Sequence, residues 1–391
     1  MTGLLARDPA APLSDGLRPF APHRRVIRGP DWMLLGSALL LALAGAVLVW
    51  SATRAASGQS YLYRHLLNMV IASVLLGITS RLDARLLRLL GPVVYLASLL
   101  GLLAVFVIGS TINGAHAWIV IGGGFAVQPA EFMKLGLVVG MSVLFAQRAA
   151  ERDSQRPRTS DILLALGLML VPLGLIMLQP DLGSAMVLCA AGFGLLIAAD
   201  VPARWTIGLV VLGVAAAIVA VKAGMLAEYQ LARFSAFTHA NRDPQGAAYN
   251  ITQARIAIAH GGLFGTGLFK GPQTNGGFVP EQQTDFIFSV AGEELGFVGS
   301  LAIIALVGVL CWRGLRIAID ADRTGRLIAV GIVCWFAFQA FQNIGMNLGL
   351  TPVTGLPLPF VSYGGSSMFA QGIAVGLLLA VRRRSRGSAW R

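Results

Sequence analysis

Long apolar stretches, separated mostly by short polar connections, fill the chain from about residue 32 to residue 381. About 20 apolar residues in a helix cross the hydrocarbon core of a bilayer. Backbone groups at membrane depth must be hydrogen-bonded within the protein, so helices are the expected spans. The pattern predicts ten transmembrane helices, at about 32–53, 64–80, 86–109, 130–147, 161–178, 183–200, 205–226, 284–311, 327–350 and 366–381.

The composition supports a membrane protein. The 391 residues are 56% hydrophobic and 12% charged, whereas soluble domains carry about 25% charged residues. High apolar content excludes a disordered chain, glycine shows no three-residue period, and three cysteines are too few for a disulfide scaffold. The predicted fold class is an all-α polytopic membrane protein with ten helices.

The net charge of +12 bears on orientation. A soluble protein with this charge would suggest nucleic acid, but cytoplasmic loops of membrane proteins also collect arginine and lysine. Every second connection between the spans is rich in arginine, and a cytoplasmic N-terminus places these connections in the cytoplasm. We therefore expect no nucleic-acid partner, a cytoplasmic tail over 1–30, a membrane domain over 31–382, a basic cytoplasmic tail over 383–391, and a long extracytoplasmic loop at about 227–283 between helices 7 and 8.

Ionisable residues inside membrane spans are costly and suggest function. Pro129 suits the first turn of a helix, and Glu131 and Lys134 share one face of that helix. Two interpretations are open: an ion pair that locks helix packing, or a cation facing the phosphates of a substrate. Trp118, on the preceding connection, either anchors at the membrane interface, where tryptophan is enriched, or stacks on a sugar.

The later connections contain further candidates. Asp181 either caps the following helix or binds a ligand or metal. Residues 247–260 predict a short interfacial helix with Arg255 on its polar side. Four glycines then predict a pliable segment that ends at Lys270; they are Gly261, Gly262, Gly265 and Gly267.

Residues 280–296 begin the eighth span. Thr284 is a plausible N-cap, which would place Asp285 in the first helical turn, where the helix dipole stabilises a carboxylate. Ser289 and Glu293 follow at four-residue steps and would form a polar track about 12 Å deep. A simple preference for acidic residues at helix starts, and helix packing by Glu293 and Glu294, are the alternatives.

Several catalytic motifs are absent from the sequence. It has no zinc-binding HExxH, no nucleophile elbow and no P-loop. We expect no nucleotide or organic cofactor. The residues alone predict a membrane protein with an outward-facing polar site.

Four segments together resemble the SEDS family (shape, elongation, division and sporulation), and the resemblance covers about residues 30–382. They are QPAEFMK (128–134), QPDLG (179–183), PEQQTDFIFSVAGEELG (280–296) and TGLPLPFVSYGGSS (354–367). Residues 243–273 resemble the elongation branch, RodA, more than the division branch, FtsW. The sequence departs from the family at Glu281-Gln282-Gln283, where ERH or EAH is common.

The resemblance implies a peptidoglycan glycosyltransferase of the bacterial cytoplasmic membrane. Such enzymes polymerise lipid II into β-1,4 glycan strands and work with a class B penicillin-binding protein, the transpeptidase. The essential aspartate of the family falls on Asp285, its outer-loop tryptophan on Trp118, and its fourth-span pair on Glu131 and Lys134. A division polymerase, a lipid II flippase and a non-catalytic scaffold are the alternatives.

The implied reaction joins a glycan on undecaprenyl diphosphate to the 4-hydroxyl of the next lipid II. One inverting displacement suffices, and the diphosphate needs charge neutralisation. The candidate substrate-binding cations are Lys134, Arg255 and Lys270. Asp285 is expected either to accept the hydroxyl proton or to hold a divalent cation, Mg²⁺ or Mn²⁺. A position at a helix start favours the metal.

Overall fold

The computed structural model describes residues 30–112, 115–122, 125–152, 156–222 and 247–387. Almost all of the expected tail 1–30, the first part of the long loop at 227–246, and residues 388–391 of the basic tail lie outside the described residues.

Among the described residues, ten apolar helices lie where the apolar pattern predicts ten spans. Eight of them are long and apolar enough to cross a membrane, and two apolar helices, Leu182–Ala198 and Ala203–Ala215, are shorter. The helices are α1 (Trp32–Ser57), α2 (Ser60–Thr79), α3 (Ala84–Ile108), α4 (Pro129–Arg152), α5 (Thr159–Leu178), α6 (Leu182–Ala198), α7 (Ala203–Lys222), α8 (Ala247–Gly261), α9 (Pro272–Gly276), α10 (Ile287–Asp320), α11 (Arg323–Leu348) and α12 (Gly365–Gly387). The prediction of a polytopic helical membrane protein is confirmed.

A small antiparallel sheet occupies the connection between α3 and α4. Its strands are β1 (Ser110–Ile112), β2 (Ala115–Gly122) and β3 (Phe125–Val127), in the order β1-β2-β3. Trp118 lies in β2, opposite Ser110. The ring of His116 lies 3.1 Å from the carbonyl oxygen of Val105, which ties the sheet to the end of α3. The sequence analysis, which placed Trp118 on a connection between spans, did not predict these strands.

Apolar side chains cover both the interior and much of the exterior of the bundle. Leu137, Val138 and Trp335 are fully buried between α4 and α11. By contrast, Val107 is 85% exposed and Ile319 is 72% exposed. Large apolar side chains on the outside of a bundle of membrane-spanning helices indicate a surface that contacts lipid.

The two ends of the bundle differ in charge. At one end, which we call the Asp31 end, the carboxylate of Asp31 pairs with Arg313 and Arg382, and Asp161 pairs with Arg152. The connections that hold most of the described arginines meet there. The opposite end, which we call the Asp285 end, holds the sheet, α9 and the turn that contains Asp285. This segregation matches the alternation used to predict orientation.

Candidate active site

Asp285 lies in a tight turn over residues 281–286. The carbonyl oxygen of Glu281 accepts hydrogen bonds from the main-chain nitrogens of Thr284 and Asp285, both at 3.1 Å, and of Phe286 at 3.3 Å. Glu281 has a φ of 51°, which closes the turn. The Asp285 side chain is partly exposed.

The prediction that Thr284 caps the eighth span is wrong. Helix α10 begins at Ile287 after Phe286, and no side chain caps it. The hydroxyl of Thr284 bonds backwards to the carbonyl of Glu281 instead of forwards to the helix. Asp285 therefore precedes the helix, and a position in the first turn no longer favours a metal over a proton as its partner.

Two asparagines of α11 hold the main chain of Asp285. The Nδ2 atoms of Asn343 and Asn347 donate to its carbonyl oxygen at 2.8 Å and 3.1 Å. Asn343 also donates to the carbonyl of Leu356 at 2.7 Å. Both asparagines are fully buried, so the turn and the segment after α11 are fixed to one helix face.

Residues 352–364, which we call the proline segment, pack against the turn. The Oγ atom of Ser362 donates to the carbonyl of Thr284 and accepts from the nitrogen of Leu358 at 2.7 Å. The nitrogen of Tyr363 donates to the carbonyl of Gln283 at 2.9 Å. Most of the segment is buried and non-helical, as expected for a re-entrant loop enclosed by protein. Ser362 is thus engaged in structural hydrogen bonds.

A glycine leaves room beside the Asp285 carboxylate. Gly355 has a φ of 73°, and a Cβ at that position would lie 3.4 Å from Asp285 Oδ2. Glycine adopts this backbone conformation without steric cost. The proline segment can therefore approach the carboxylate closely.

Lys134 is buried and paired. Its Nζ atom lies 2.7 Å from Glu131 Oε1 and 3.1 Å from Gln339 Oε1. The Nε2 atom of Gln339 donates in turn to the carbonyl of Pro357 at 2.8 Å. Of the two interpretations, this structure shows the ion pair, and it links Lys134 to the proline segment through Gln339. Direct binding of phosphate by Lys134 remains a prediction.

Three of the sequence motifs meet at a second set of contacts. Gln128 Nε2 donates to Asp181 Oδ2 at 2.7 Å, and Gln128 N donates to the hydroxyl of Ser366 at 3.0 Å. The other oxygen of Asp181 accepts from the nitrogen of Ser184 at 2.9 Å, which caps α6. Asp181 is therefore both a helix cap and a bridge between motifs far apart in the sequence.

Glu293 and Glu294 organise the loop before the site. Glu293 accepts from the nitrogens of Gln273 and Thr274, both at 2.8 Å, at the start of α9. Glu294 accepts from the hydroxyl of Ser51 on α1. Both glutamates are buried. Their contacts correspond to the helix-packing alternative and not to an open polar track.

The glycine-rich loop is packed, so its predicted pliability is wrong. Helix α10 breaks at Gly296, where φ is 68°. The freed groups there bond to the loop: Phe297 N donates to the carbonyl of Gly262 at 2.9 Å, and Gly267 N donates to that of Glu294 at 3.1 Å. A Cβ on Gly265 would collide with the carbonyl of Glu294.

The remaining predicted residues lie apart from this hydrogen-bonded network. Arg255 is exposed on α8, and its Cδ atom lies beside Gly349. Lys270 is exposed on the loop before α9, and Trp118 is half-buried in β2. None of these three side chains donates to the turn or to the proline segment in the part of the chain that the structure describes.

Sequence reasoning overlooked a row of amides on α11. Gln339, Gln342, Asn343 and Asn347 are buried and bond to the proline segment or the turn. Their spacing of three and four residues places them on one face of the helix. Four amides on one side of an apolar helix were a visible signal of a buried polar partner.

The described residues offer a divalent cation only a partial site. No group of three or more histidine, cysteine, aspartate or glutamate side chains among them could hold a metal. Mg²⁺ is often held by one or two carboxylates together with substrate phosphates. Asp285, with Glu281 in the same turn, fits such a shared site.

The fold and this network define a polytopic membrane protein whose polar site lies at one end of the bundle. The family model described as "Cell cycle protein", which covers FtsW, RodA and SpoVE, matches residues 31–387. The chain belongs to this family, which is the SEDS family that the four motifs resemble.

Individual relatives match over nearly their full lengths. The chain is 35% identical to stage V sporulation protein E of Bacillus subtilis, covering 91% of this chain and 98% of that protein. It is 36% identical to a probable peptidoglycan glycosyltransferase FtsW of Trichlorobacter lovleyi, covering 90% and 92%.

Solved structures agree with the fold. A chain of a peptidoglycan synthase complex that coordinates polymerisation and crosslinking matches with a TM-score of 0.77 and 33% identity, covering 92% of this chain and 99% of that one. The rod-shape-determining protein RodA of Thermus thermophilus matches with a TM-score of 0.67 and 32% identity, covering 91% and 98%.

Proposed function

We propose that this protein is a peptidoglycan glycosyltransferase that polymerises lipid II into β-1,4 glycan strands. The observation that carries the proposal is the network around Asp285, which joins residues of all four family motifs at one end of the bundle. Relatives named as peptidoglycan glycosyltransferases match over at least 90% of the chain, and this supports the activity.

Asp285 is the proposed proton acceptor. Its carboxylate is partly exposed while its main chain is fixed by Asn343 and Asn347. A positioned carboxylate can take the proton of the acceptor hydroxyl as the oxygen attacks the anomeric carbon. The electron pair of the broken bond leaves with the diphosphate, so no covalent sugar intermediate is required.

A divalent cation is compatible with the same site. Asp285 and Glu281 are the residues that would hold it together with the diphosphate. Such an ion, when bound, would neutralise charge on the leaving group.

We place Asp285 on the outer side of the bacterial cytoplasmic membrane, with both termini in the cytoplasm. The arginines gathered at the Asp31 end support this orientation through the positive-inside rule. A class B penicillin-binding protein is the proposed partner, since a structure that coordinates polymerisation and crosslinking resembles this chain.

The decisive experiment is polymerisation of lipid II by the purified protein in liposomes, with and without the cognate transpeptidase. Glycan strands that grow with time are the expected product. Movement of lipid II across the bilayer without any polymer would identify a flippase instead. Absence of both activities would favour a non-catalytic scaffold.

The cellular role is proposed to be elongation, because residues 243–273 resemble the elongation branch. Curated relatives named for sporulation and division match at 35% and 36% identity, which makes division a specific competitor. A fluorescent fusion along the sidewall supports elongation, whereas one concentrated at midcell supports division.

A further inference from the structure

An arginine outside the predicted site lies beside the Asp285 turn. Arg64 is exposed near the start of α2, at the Asp285 end. Its guanidinium lies near the Tyr363 phenol. Burial raises the pKa of that phenol, and Arg64 partly opposes the rise. The rings of Tyr61 and Tyr363 meet edge-on at 4.9 Å, which fixes the phenol from the other side.

Tyr363 connects this arginine to the turn. Its main-chain nitrogen donates to the carbonyl of Gln283 at 2.9 Å, and Ser362 donates to the carbonyl of Thr284. These two acceptors immediately precede Asp285 in the chain. The residue that contacts α2 beside Arg64 is therefore bonded directly to the turn that contains Asp285.

The charge of Arg64 is not cancelled by a neighbouring acid. Among the residues that the structure describes, Arg64 forms no ion pair. Lys134, by contrast, is neutralised by Glu131, and Arg54 donates to Phe269 and Asn275 while covering the Phe269 ring. A neutral phenol leaves the positive charge of Arg64 available to an anion.

The face of α2 below Arg64 is also polar. Asn68 lies four residues further on, on the same side of the helix. It is 2% exposed, and its Oδ1 atom accepts no hydrogen bond from the described residues. A Cβ on Gly365, at the start of α12, would lie 3.3 Å from that Oδ1 atom. The same side of α2 therefore carries Arg64 and, one turn further on, a buried amide that faces the start of α12.

We propose that Arg64 binds the diphosphate of the lipid-linked substrate and that Tyr363 positions it beside Asp285. The inference rests on the proposed function and adds a binding residue to it. Guanidinium binds phosphate oxygens through two parallel hydrogen bonds. As the bond from the acceptor oxygen to the anomeric carbon forms, the bond from that carbon to the diphosphate breaks. The charge that the leaving group gains lies next to Arg64.

A different explanation is that Arg64 only anchors α2 at the membrane surface. Arginine and lysine side chains both extend their charge to the interface. An anchor would tolerate Arg64→Lys fully, whereas two-point binding of phosphate would not. An anchor would also have no preference for a diphosphate over an alcohol on the same lipid.

The test measures binding of two lipids to the full-length protein in detergent. Undecaprenyl diphosphate and undecaprenol share the chain and differ in the headgroup. We expect Arg64→Gln to weaken diphosphate binding about tenfold or more, as for loss of a charged hydrogen bond, with undecaprenol binding unchanged. Arg64→Lys should fall between, and Tyr363→Phe should reduce the preference for diphosphate. Arg81→Gln, which changes an exposed arginine just beyond the other end of α2, is the control.

Lipid II polymerisation supplies the second measurement. Arg64→Gln should raise KM and lower kcat/KM, with partial recovery in Arg64→Lys. If the wild-type protein binds undecaprenyl diphosphate selectively but makes no polymer, the proposed function fails and the role of Arg64 stands. Unchanged diphosphate binding by folded Arg64→Gln, or an equal loss for both lipids, would overturn the role of Arg64.

Discussion

The carbonyl oxygen of Asp285 lies 2.8 Å from the Nδ2 atom of Asn343, so a side chain of α11 fixes the main chain of the proposed proton acceptor. We expect Asn343→Leu to lower the free energy of unfolding by about 1–3 kcal/mol, because the buried carbonyl of Leu356 loses its donor and that of Asp285 keeps only Asn347. A carboxylate displaced by about 1 Å can cost about 100-fold in rate. Thermal unfolding and initial polymerisation rates would measure both effects.

Gln342→Leu is the matched control for that variant. Gln342 lies on the same helix and donates to the carbonyl of Pro352 at 2.9 Å, away from Asp285. It should lose stability with a much smaller effect on kcat. Equal effects on kcat in the two variants would contradict a specific role of Asn343 in placing the carboxylate.

Replacement of Asp285 by asparagine should abolish polymerisation and leave the fold intact. Loss of a general base typically costs about 100- to 10,000-fold in rate, and asparagine keeps the carbonyl to which Asn343 and Asn347 donate. Asp83→Asn changes an exposed acid at the Asp31 end and should retain activity. Full polymerisation by a well-folded Asp285→Asn protein would remove this residue from the mechanism.

The buried pair of Glu131 and Lys134 should behave as a unit. Either single change, Glu131→Gln or Lys134→Met, leaves an uncompensated charge and should cost about 3–5 kcal/mol of stability. The double variant should recover most of this loss. If the double variant is stable but still fails to use lipid II, Lys134 also acts on the substrate; recovery of activity assigns the pair to packing.

If a divalent cation shares the Asp285 site with the substrate, removal of divalent cations should stop polymerisation. Asp285 and Glu281 offer few protein ligands, so a shared ion would depend on the substrate and exchange readily. EDTA should abolish activity with no change in unfolding temperature, and excess Mg²⁺ or Mn²⁺ should restore it. Undiminished activity in EDTA would show that Asp285 does not act through a metal and would favour its role as a proton acceptor.

The packed glycine loop provides a prediction about stability. Gly265→Ala should destabilise the protein by more than the about 1–3 kcal/mol expected from its positive φ, because the new Cβ meets the carbonyl of Glu294. Gly262→Ala has a similar φ, but its Cβ would enter open space. We expect Gly265→Ala to have the lower unfolding temperature, because it adds a steric collision to the backbone strain that both variants share. Equal unfolding temperatures would argue against tight packing of the loop.

The ten spans were predictable because a bilayer demands long apolar stretches, and such stretches are visible in any sequence. The start of α10 was not, because Thr284 has the chemistry of an N-cap and only the backbone of Glu281 directs its hydroxyl elsewhere. The break at Gly296 needs the loop around Gly262 and Gly265, more than 30 positions earlier, and local sequence carries no trace of that contact.

The site itself was partly predictable. Family motifs led to Asp285, Glu131 and Lys134, yet the amides that join them belong to no quoted motif. Gln339 and Asn343 were readable as polar positions on an apolar helix, but their partners are main-chain carbonyls. A carbonyl has no signature in the sequence, because every residue has one.

The turn that holds Asp285 is fixed by hydrogen bonds to its main-chain carbonyls. The carbonyls of Gln283, Thr284 and Asp285 are the acceptors for Tyr363, Ser362 and the two asparagines of α11. The side chain at position 283 bonds only within the turn, to Glu281, in the part of the protein that the structure describes. The residue at position 283 can therefore differ from the ERH or EAH that is common in the family without moving the proposed proton acceptor.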